Sequence, residues 1–483
     1  MPIVPLFGRG FTSKSPTVTD QLLVNMYREP QGDPDKTSMA LYGTPGLVPI
    51  STFVPAAPNT DLTVRCMRQV GNYLWFVVGG SGGTSSLLYM SSSGAVTQVS
   101  VAGITTNQGQ MGITDNGQQI LLVDGVGGYT IAVNAIGAPA GSLTVISNAN
   151  FPNGASTATC LNGYFIVDNP NATPRGRFNW SALNNATSWA ALDYATAESN
   201  PDPLVHVIAN FGQLFLFGTA TTEIWAPSRD AAIFRRVGAA GTEWGLAARW
   251  SLSKYANNSL IFLGKNKLGQ SQLVRMDNYT VTPLTDPDVT NDLNTRNVSG
   301  ATGYSYSLDA HTFYQLNFPD KSYLYDDLSQ SYSQVISDGG RHFGEIRAEL
   351  NAIAYVSDYR NANIYTVSAT TYTYNSTPII REITSRHLFH DLDFLSVWEL
   401  VLDVETGDGL VTGQGSNPQI MLQISKDNGR TWGNERWTTM GALGEYLTRV
   451  VWRQLGVGRD RLFKFRVSDP VKVVITCGSV NVA

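Results

Sequence analysis

The chain has 483 residues, of which only 15% are charged, and it carries a formal net charge of −5 together with 46 glycines and 21 tyrosines. An ordinary soluble domain has roughly 25% charged residues, so this composition favours all-β structure with many turns and large contacts with partners. The negative net charge argues against a simple polyanion-binding protein. The length exceeds the roughly 250–300 residues of a single hydrophobic core, so we expect more than one structural unit.

The three cysteines, Cys66, Cys160 and Cys477, lie far apart and form no CxxC motif. Such spacing predicts reduced thiols in a protein assembled in a cytosol. The N-terminal sequence lacks an apolar run of signal-peptide length, and apolar runs such as YLWFVV (Tyr73–Val78) are far too short to span a bilayer. We therefore expect neither export by a recognisable signal nor a membrane-spanning segment.

Residues 1–55 are rich in turn signals and poor in periodic pattern. GDPD at Gly32–Asp35 and TPG at Thr44–Gly46 precede a proline-punctuated stretch from Pro49 to Pro58. Clusters of this kind end regular elements. The segment is predicted to be an extended arm that contributes edge strands, followed by a domain boundary.

Residues 56–395 repeat one pattern, in which an apolar β-rich strand is joined by a short turn to a second strand that often ends in an aromatic residue. The apolar strands of the copies read YLWFVVGG, QQILLVDG, YFIVD, QLFLFG, LIFLGKN, FYQLNF and IAYVSD. The spacing is about forty residues, which is typical of propeller blades. We predict a β-propeller of six or seven blades, and no stretch shows the long apolar stripe of a helix.

Residues 396–483 change character and predict a separate β-sandwich-like domain. Ile420, Leu422 and Ile424 alternate with other residues along one strand. In the same way Phe463, Phe465 and Val467 alternate with Leu462, Lys464 and Arg466, which we assign to the outer face. Such alternation is typical of strands half-buried in a sheet. From Gly429 to Lys472 there are nine basic and four acidic residues, so this segment carries +5 and the remainder −10.

The stretch SKDNGRTW matches the Asp-box hairpin S-x-D-x-G-x-T-W of sialidases and other propeller glycosidases. Its matching residues are Ser425, Asp427, Gly429, Thr431 and Trp432. The motif occurs once, outside the predicted blades, and arginines that would hold a sialidase substrate are scarce through those blades. We therefore interpret it as a structural turn in which Asp427 accepts backbone N–H groups, Gly429 takes a positive φ and Trp432 packs under the hairpin.

Other candidate chemistry is weak, and we expect no catalytic, metal or cofactor site. In RHLFHDLDF, His387 and His390 lie near Asp391 and Asp393, but in an extended strand a spacing of three places the histidines on opposite faces. The glycine-rich GGSGG at Gly79–Gly83 is not followed by a lysine or a helix start, so it predicts a hairpin loop. No G-x-S-x-G elbow occurs, and the five histidines are scattered.

The order of motifs along the chain resembles the packaged DNA stabilization proteins, or tail nozzles, of short-tailed bacteriophages. The stretches that carry this resemblance are MPI at the start, LLVNMY (Leu22–Tyr27), TPGL (Thr44–Leu47), RFNWSALNNATSWAALDYATAESNPDPL (Arg177–Leu204), TTEIW (Thr221–Trp225), IFLGKNKLGQSQLVRM (Ile261–Met276), FYQLNFPDKSYLYDD (Phe313–Asp327), TPIIREI (Thr377–Ile383), SKDNGRTWGNERW, RVVWRQLG and FKFRVSDPVKV. The resemblance spans nearly the full chain, with no distinctive match in Gly79–Val145.

The resemblance implies a structural virion protein with no enzymatic activity. It would form a hexameric ring that closes the tail channel, stabilises packaged DNA and provides the path for genome ejection. The implied partners are other copies of the chain, the head-to-tail adaptor or connector, a tailspike or tail fibre, a needle or plug protein, and double-stranded DNA passing without sequence-specific binding. The implied location is the virion tail, after assembly in the host cytoplasm.

The basic C-terminal strands are candidates for contact with a neighbouring subunit or the adaptor, and the residues concerned are Arg449, Arg453, Arg461, Lys464 and Arg466. Contact with DNA and a merely solvated basic face are the other interpretations. For the whole chain, the alternative function is a carbohydrate-binding or sialidase-like propeller for receptor recognition, which the Asp-box and the many aromatic residues favour.

Overall fold

The computed structural model describes residues 3–7, 22–30, 39–51, 63–80, 83–197, 202–228, 232–284, 286–390 and 393–482. The predicted GDPD turn at Gly32–Asp35, part of the GGSGG loop and Asp391 lie outside these residues. The described part is almost entirely β, as the sequence predicted. Its one α-helix is α1 (Pro287–Thr295), and a 3₁₀ turn covers Ala256–Asn258.

Five N-terminal strands are distributed among other parts of the molecule. They are β1 (Ile3–Pro5), β2 (Leu23–Val24), β3 (Met26–Pro30), β4 (Met39–Gly43) and β5 (Gly46–Ser51). None pairs with a first strand of a blade. β5 joins the last blade, β1 and β4 pair with the C-terminal strand, and β2 lies between the propeller and the C-terminal domain.

The first four blades are four-stranded antiparallel sheets in simple up-and-down order. Their strands are β6 (Val64–Val70), β7 (Tyr73–Gly79), β8 (Ser85–Ser91) and β9 (Val96–Ile104); β10 (Gly112–Asp115), β11 (Gln119–Val123), β12 (Gly128–Ala132) and β13 (Thr144–Val145); β14 (Ala158–Leu161), β15 (Tyr164–Asp168), β16 (Arg177–Trp180) and β17 (Tyr194–Thr196); and β18 (Leu204–Asn210), β19 (Gln213–Gly218), β20 (Thr222–Pro227) and β21 (Phe234–Thr242).

Three further sheets complete a propeller of seven blades in the described part of the chain. Their strands are β22 (Trp244–Leu246), β23 (Ser253–Lys254), β24 (Leu260–Asn266), β25 (Ser271–Asp277) and β26 (Thr280–Pro283); β27 (Thr302–Leu308), β28 (His311–Asn317), β29 (Ser322–Asp326), β30 (Ser331–Ser337) and the short β31 (Gly340–Arg341); and β32 (Gly344–Leu350), β33 (Ile353–Asp358), β34 (Ile364–Ser368), β35 (Thr373–Tyr374) and β36 (Thr377–Pro378).

The apolar strands of the repeat are buried on both faces because each blade is stacked between two others. In β7, Leu74 and Phe76 pack in a cluster with Leu350 of the last blade. The alternate residues Trp75 and Val77 pack instead with the second blade. This arrangement explains why the strand reads as a continuous apolar run although its side chains still alternate.

The ring of blades is closed by the N-terminal arm. The first strand of the last blade, β32, contacts β6, the first strand of the first blade. The fourth strand of the last blade is β5, which pairs antiparallel with β34. A strand from before the repeats therefore ties the two ends of the propeller together.

The C-terminal domain is a sandwich of two sheets. Its strands are β37 (Arg381–Thr384), β38 (Leu388–Phe389), β39 (Leu395–Val404), β40 (Gln419–Ser425), β41 (Arg436–Thr439), β42 (Val450–Gly458), β43 (Asp460–Val467) and β44 (Val474–Val482). One sheet has the order β3-β4-β44-β39-β42 with β1 at the side. The other, β37-β43-β40-β41, continues through β2 into the blade that ends in β30, so one eleven-stranded sheet spans both domains.

The predicted alternation holds for the core side of the sandwich. Ile420, Leu422, Phe463, Phe465 and Val467 are all buried in its main apolar cluster. The domain boundaries predicted at 55/56 and 395/396 stay predictions. Strands pair across both: β5 pairs with β34 across the first, and β37 pairs with β43 across the second.

Candidate functional site

The Asp-box forms the connection between β40 and β41, on the sandwich and not on a blade. Both carboxylate oxygens of Asp427 are occupied within the turn. Oδ1 accepts the Thr431 N–H at 2.9 Å and the Ser425 hydroxyl at 2.7 Å, while Oδ2 accepts the Thr431 hydroxyl at 2.5 Å. Gly429, with φ of 80°, donates its N–H to Ser425 Oγ at 2.9 Å.

These hydrogen bonds hold the pKa of Asp427 at about 2, with the Thr431 hydroxyl as the largest cause. Hydrogen bonds to the charged form of a carboxylate favour that form, which is the usual reason for such a lowered pKa. The carboxylate therefore acts as a fixed acceptor for its own hairpin.

The hairpin lies over β43. Leu462, which the alternation assigned to the outer face, is nevertheless buried, with 5% exposure. A Cβ on Gly429 would lie 3.3 Å from Leu462 Cδ1, so the turn itself covers this side chain. Trp432 is half-buried, and the Lys464 ammonium lies 4.3 Å from its ring centre in a cation–π contact.

The basic residues predicted as an interface do not form one group. Arg449 is exposed in the loop before β42. Arg453 is 69% exposed, and its Nε is 2.9 Å from Glu399 on the paired strand β39. Arg466 lies 3.5 Å from Glu382 and 3.8 Å from Glu435. Arg449 and Arg453 are thus presented to solvent, whereas Lys464 and Arg466 are partly engaged within the sandwich.

Arg461 is wrong as an interface residue, because its side chain is fully buried. Its Nη1 donates to the Gly456 carbonyl at 2.6 Å and its Nη2 to the Leu455 carbonyl. Burial, together with the charge of Arg436, lowers its pKa to about 10, so it remains protonated at neutral pH. It holds the kinked end of β42, where Gly456 has φ of 82°.

The two histidines of RHLFHDLDF differ in their surroundings. His387 Nδ1 lies 2.8 Å from Asp460, while His390 is exposed. Among the described residues, no group of three or more His, Cys, Asp or Glu side chains is placed to hold a metal ion.

A feature that sequence reasoning missed is the centre of the propeller. The first strands of the first four blades, with Trp250, Lys254 and Ile346, line an open cavity of about 260 Å³. His206 lines the cavity. Its Nδ1 lies 3.1 Å from the Arg249 carbonyl oxygen, which can only accept, so Nδ1 carries the proton and donates it. Burial, with Arg249 nearby, lowers the His206 pKa to about 3, so the ring is neutral. The sequence signal that could have indicated this cavity is the first strand of each repeat, because those strands line it.

Comparison with known proteins gives two adjacent family matches. The model described as "Bacteriophage P22 Gp10, beta-propeller" matches residues 1–371, and the model described as "Bacteriophage P22 Gp10, beta-sandwich" matches residues 380–483. The chain belongs to the bacteriophage P22 Gp10 family. This confirms the predicted membership of the packaged DNA stabilization, or podovirus tail-nozzle, family.

Membership of the P22 Gp10 family makes this chain a phage structural tail protein of the virion, and it confirms the propeller and sandwich classes. Among solved structures, the β-propeller domain of the Trilobed protease from Pyrococcus furiosus is similar, with a TM-score of 0.39 and 10% identity, over 68% of this chain and 94% of that one. No curated protein matches the sequence significantly. In the described part of the chain, no helix has the length and apolarity needed to cross a membrane.

Proposed function

We propose that this chain is one subunit of a hexameric tail nozzle that closes the tail channel, stabilises packaged DNA and provides the path for genome ejection. The observation that carries the proposal is the pair of family matches, which together cover residues 1–371 and 380–483. The chain then acts through its shape, as one sixth of a tube, and needs no catalytic group.

The charge distribution supports this role. The chain is only 15% charged, with a net charge of −5. Each Lys or Arg contact with a phosphate adds affinity for DNA, so a weakly acidic conduit lets the double helix pass without gripping it. In this proposal DNA is a passing partner that is bound without sequence specificity.

The proposed partners are five further copies of the chain, the head-to-tail adaptor, a tailspike or fibre, and a needle or plug protein. Assembly in the host cytoplasm is in keeping with Cys66 and Cys160, which are free thiols in the structure. The Asp-box has a structural role in this proposal, since its carboxylate serves the hairpin.

We assign the contact with an acidic neighbour, either the next subunit or the adaptor, to Arg449 and Arg453. Both are exposed, and they lie on the segment that carries +5 while the rest of the chain carries −10. Opposite charges on facing surfaces favour association and fix its orientation. Lys464 and Arg466 are proposed as a second row beside them, already partly neutralised by the sandwich itself.

The test is assembly of the purified chain, alone and with its adaptor, followed by electron microscopy and by size in solution. We expect six-membered rings, either free or on the adaptor. The double variant Arg449→Glu/Arg453→Glu should weaken assembly, whereas Lys267→Glu, a charge reversal on the exposed Lys267 of the propeller, should not.

Two outcomes would contradict these proposals separately. A compact monomer that never forms rings and that binds or cleaves glycans would replace the nozzle by the carbohydrate-binding alternative. Normal rings and normal adaptor binding by the double variant, with poorer genome retention, would move Arg449 and Arg453 from the protein interface to DNA contact.

A further inference from the structure

The central cavity of the propeller has an uneven charge. Its lining includes three basic side chains, those of Arg65, Arg68 and Lys254, and no acidic side chain. This is notable in a chain whose net charge is −5. A concave site with an excess of cations attracts anions, because its low-dielectric walls weaken screening.

Two of the three cations already have partners. Arg65 donates to the carbonyl oxygens of Thr106, Gln108 and Gly109, each at 2.8 Å. Arg68 forms an ion pair with Asp115, which lies beside the cavity, and keeps 42% of its side chain exposed. Arg65 is thus committed to the blade, whereas Arg68 still has a face open to the cavity.

Lys254 is the third cation, and no carboxylate among the described residues pairs with its ammonium group. Lys254 lies on β23 and lines both the central cavity and a second cavity of about 550 Å³, which Arg347 and Glu349 also line. The side chain of Lys254 keeps an exposed face, and partial desolvation in the cavity wall, followed by the charge of Arg68, lowers its pKa. An anion that approaches Lys254 is stabilised by its charge and offsets the repulsion from Arg68.

We propose that the central channel of the propeller binds a small oxyanion, a phosphate or a carboxylate, held by Lys254 Nζ and the open face of the Arg68 guanidinium. The cavity of about 260 Å³ has room for such an anion with water. Thr114 and the Trp250 ring complete a wall that is partly polar and partly aromatic. Few charged groups in a concave site are the usual means of fixing a small ligand. This inference does not depend on the nozzle function.

The experiment is isothermal titration of the full chain with inorganic phosphate and, separately, with succinate, at one ionic strength set by sodium chloride. We expect saturable binding of one of the two anions, and the anion that binds identifies the class. Lys254→Met should weaken that binding about tenfold or more, as loss of a charge-assisted hydrogen bond does. Arg68→Gln should weaken it as well.

The matched control is Lys267→Met, which removes an exposed lysine that pairs with Glu243 away from the cavity. It should bind as the parent does. Thermal unfolding of each variant shows whether it is folded, and Arg68→Gln gives a second test if Lys254→Met is not. Absence of saturable binding by both anions, or unchanged binding by folded Lys254→Met, would overturn the proposal.

Discussion

Asn25 and Ile336 are joined by two hydrogen bonds between a side-chain amide and a backbone peptide. Asn25 Nδ2 donates to the Ile336 carbonyl at 3.1 Å, and the Ile336 N–H donates to Asn25 Oδ1 at 2.9 Å. The same Nδ2 donates to the Ile380 carbonyl at 2.8 Å. One residue of the N-terminal arm therefore ties the sixth blade to the chain just before β37, at the place where the eleven-stranded sheet passes between domains.

Asn25→Ala should lower the free energy of unfolding by roughly 2–4 kcal/mol. Three side-chain hydrogen bonds are lost at a residue that is 1% exposed, and buried partners left unpaired cost more than the bonds themselves contribute. Urea denaturation followed by tryptophan fluorescence measures the effect. Asn25 has φ of 53°, so Asn162→Ala, at an exposed asparagine with φ of 52°, controls for backbone strain. Equal stability of the two variants would show that the amide is not a tie between domains.

Arg461→Met should also destabilise the fold, by about 2–4 kcal/mol, without changing the outer surface. The substitution leaves the Leu455 and Gly456 carbonyls without their donor inside the sandwich. Arg453→Met, which breaks only an exposed ion pair, should change stability by about 0.5 kcal/mol or less. Denaturation of both variants checks this, and a stable Arg461→Met protein that fails to assemble would restore Arg461 to an interface.

Much of the fold could be predicted because the strands of most blades are neighbours in sequence and are joined by short turns. A strand such as Tyr73–Gly79 can be recognised as an apolar run between turn residues, and the repetition of such strands predicts a propeller. The pairing of Gly46–Ser51 with the last blade could not be predicted, because it joins residues more than three hundred positions apart. Nothing local in GLVPIS says which sheet completes its hydrogen bonds.

The candidate surfaces were less predictable, because exposure depends on what covers a strand. The sequence made Arg461 an interface candidate and placed Leu462 on the outer face, yet Arg461 is buried in the sandwich and Leu462 lies under the Asp-box hairpin. Lys254 gave no signal at all in the sequence. Only the three-dimensional structure shows that Lys254 lines one cavity together with the first strands of separate blades.

Asp427→Asn should lower the thermal midpoint at pH 6, by an amount that shrinks as the pH falls. The pKa of Asp427 is about 2 in the folded chain against 3.8 ordinarily. Its contribution is therefore complete above pH 3.8 and is lost as the pH falls towards 2. The difference between the parent and the variant should narrow by about half at pH 3. Lys426→Gln, at the exposed neighbour, is the control, and a difference that does not vary with pH would mean that the charge is unimportant.

His342 should make the fold sensitive to mild acid. Its side chain is buried, and its Nδ1 accepts hydrogen bonds from Gln315 Nε2 at 2.9 Å and from the Gly344 N–H at 3.0 Å. Burial, with Arg341 beside it, lowers its pKa from 6.5 to about 3. A proton on Nδ1 would break both bonds and place two positive charges together in the interior.

The sign follows from proton uptake by the unfolded chain. Above pH 6.5 the stabilisation is complete, and it is lost as the pH falls from 6.5 towards 3, by about 2 kcal/mol between pH 7 and pH 5. His342→Gln should be less stable at pH 7 but should lose this part of the pH dependence, as measured by urea denaturation at the two pH values. His390→Gln, at an exposed histidine, should keep the parent's dependence. If the slopes of parent and His342→Gln coincide, His342 is not the group that takes up the proton.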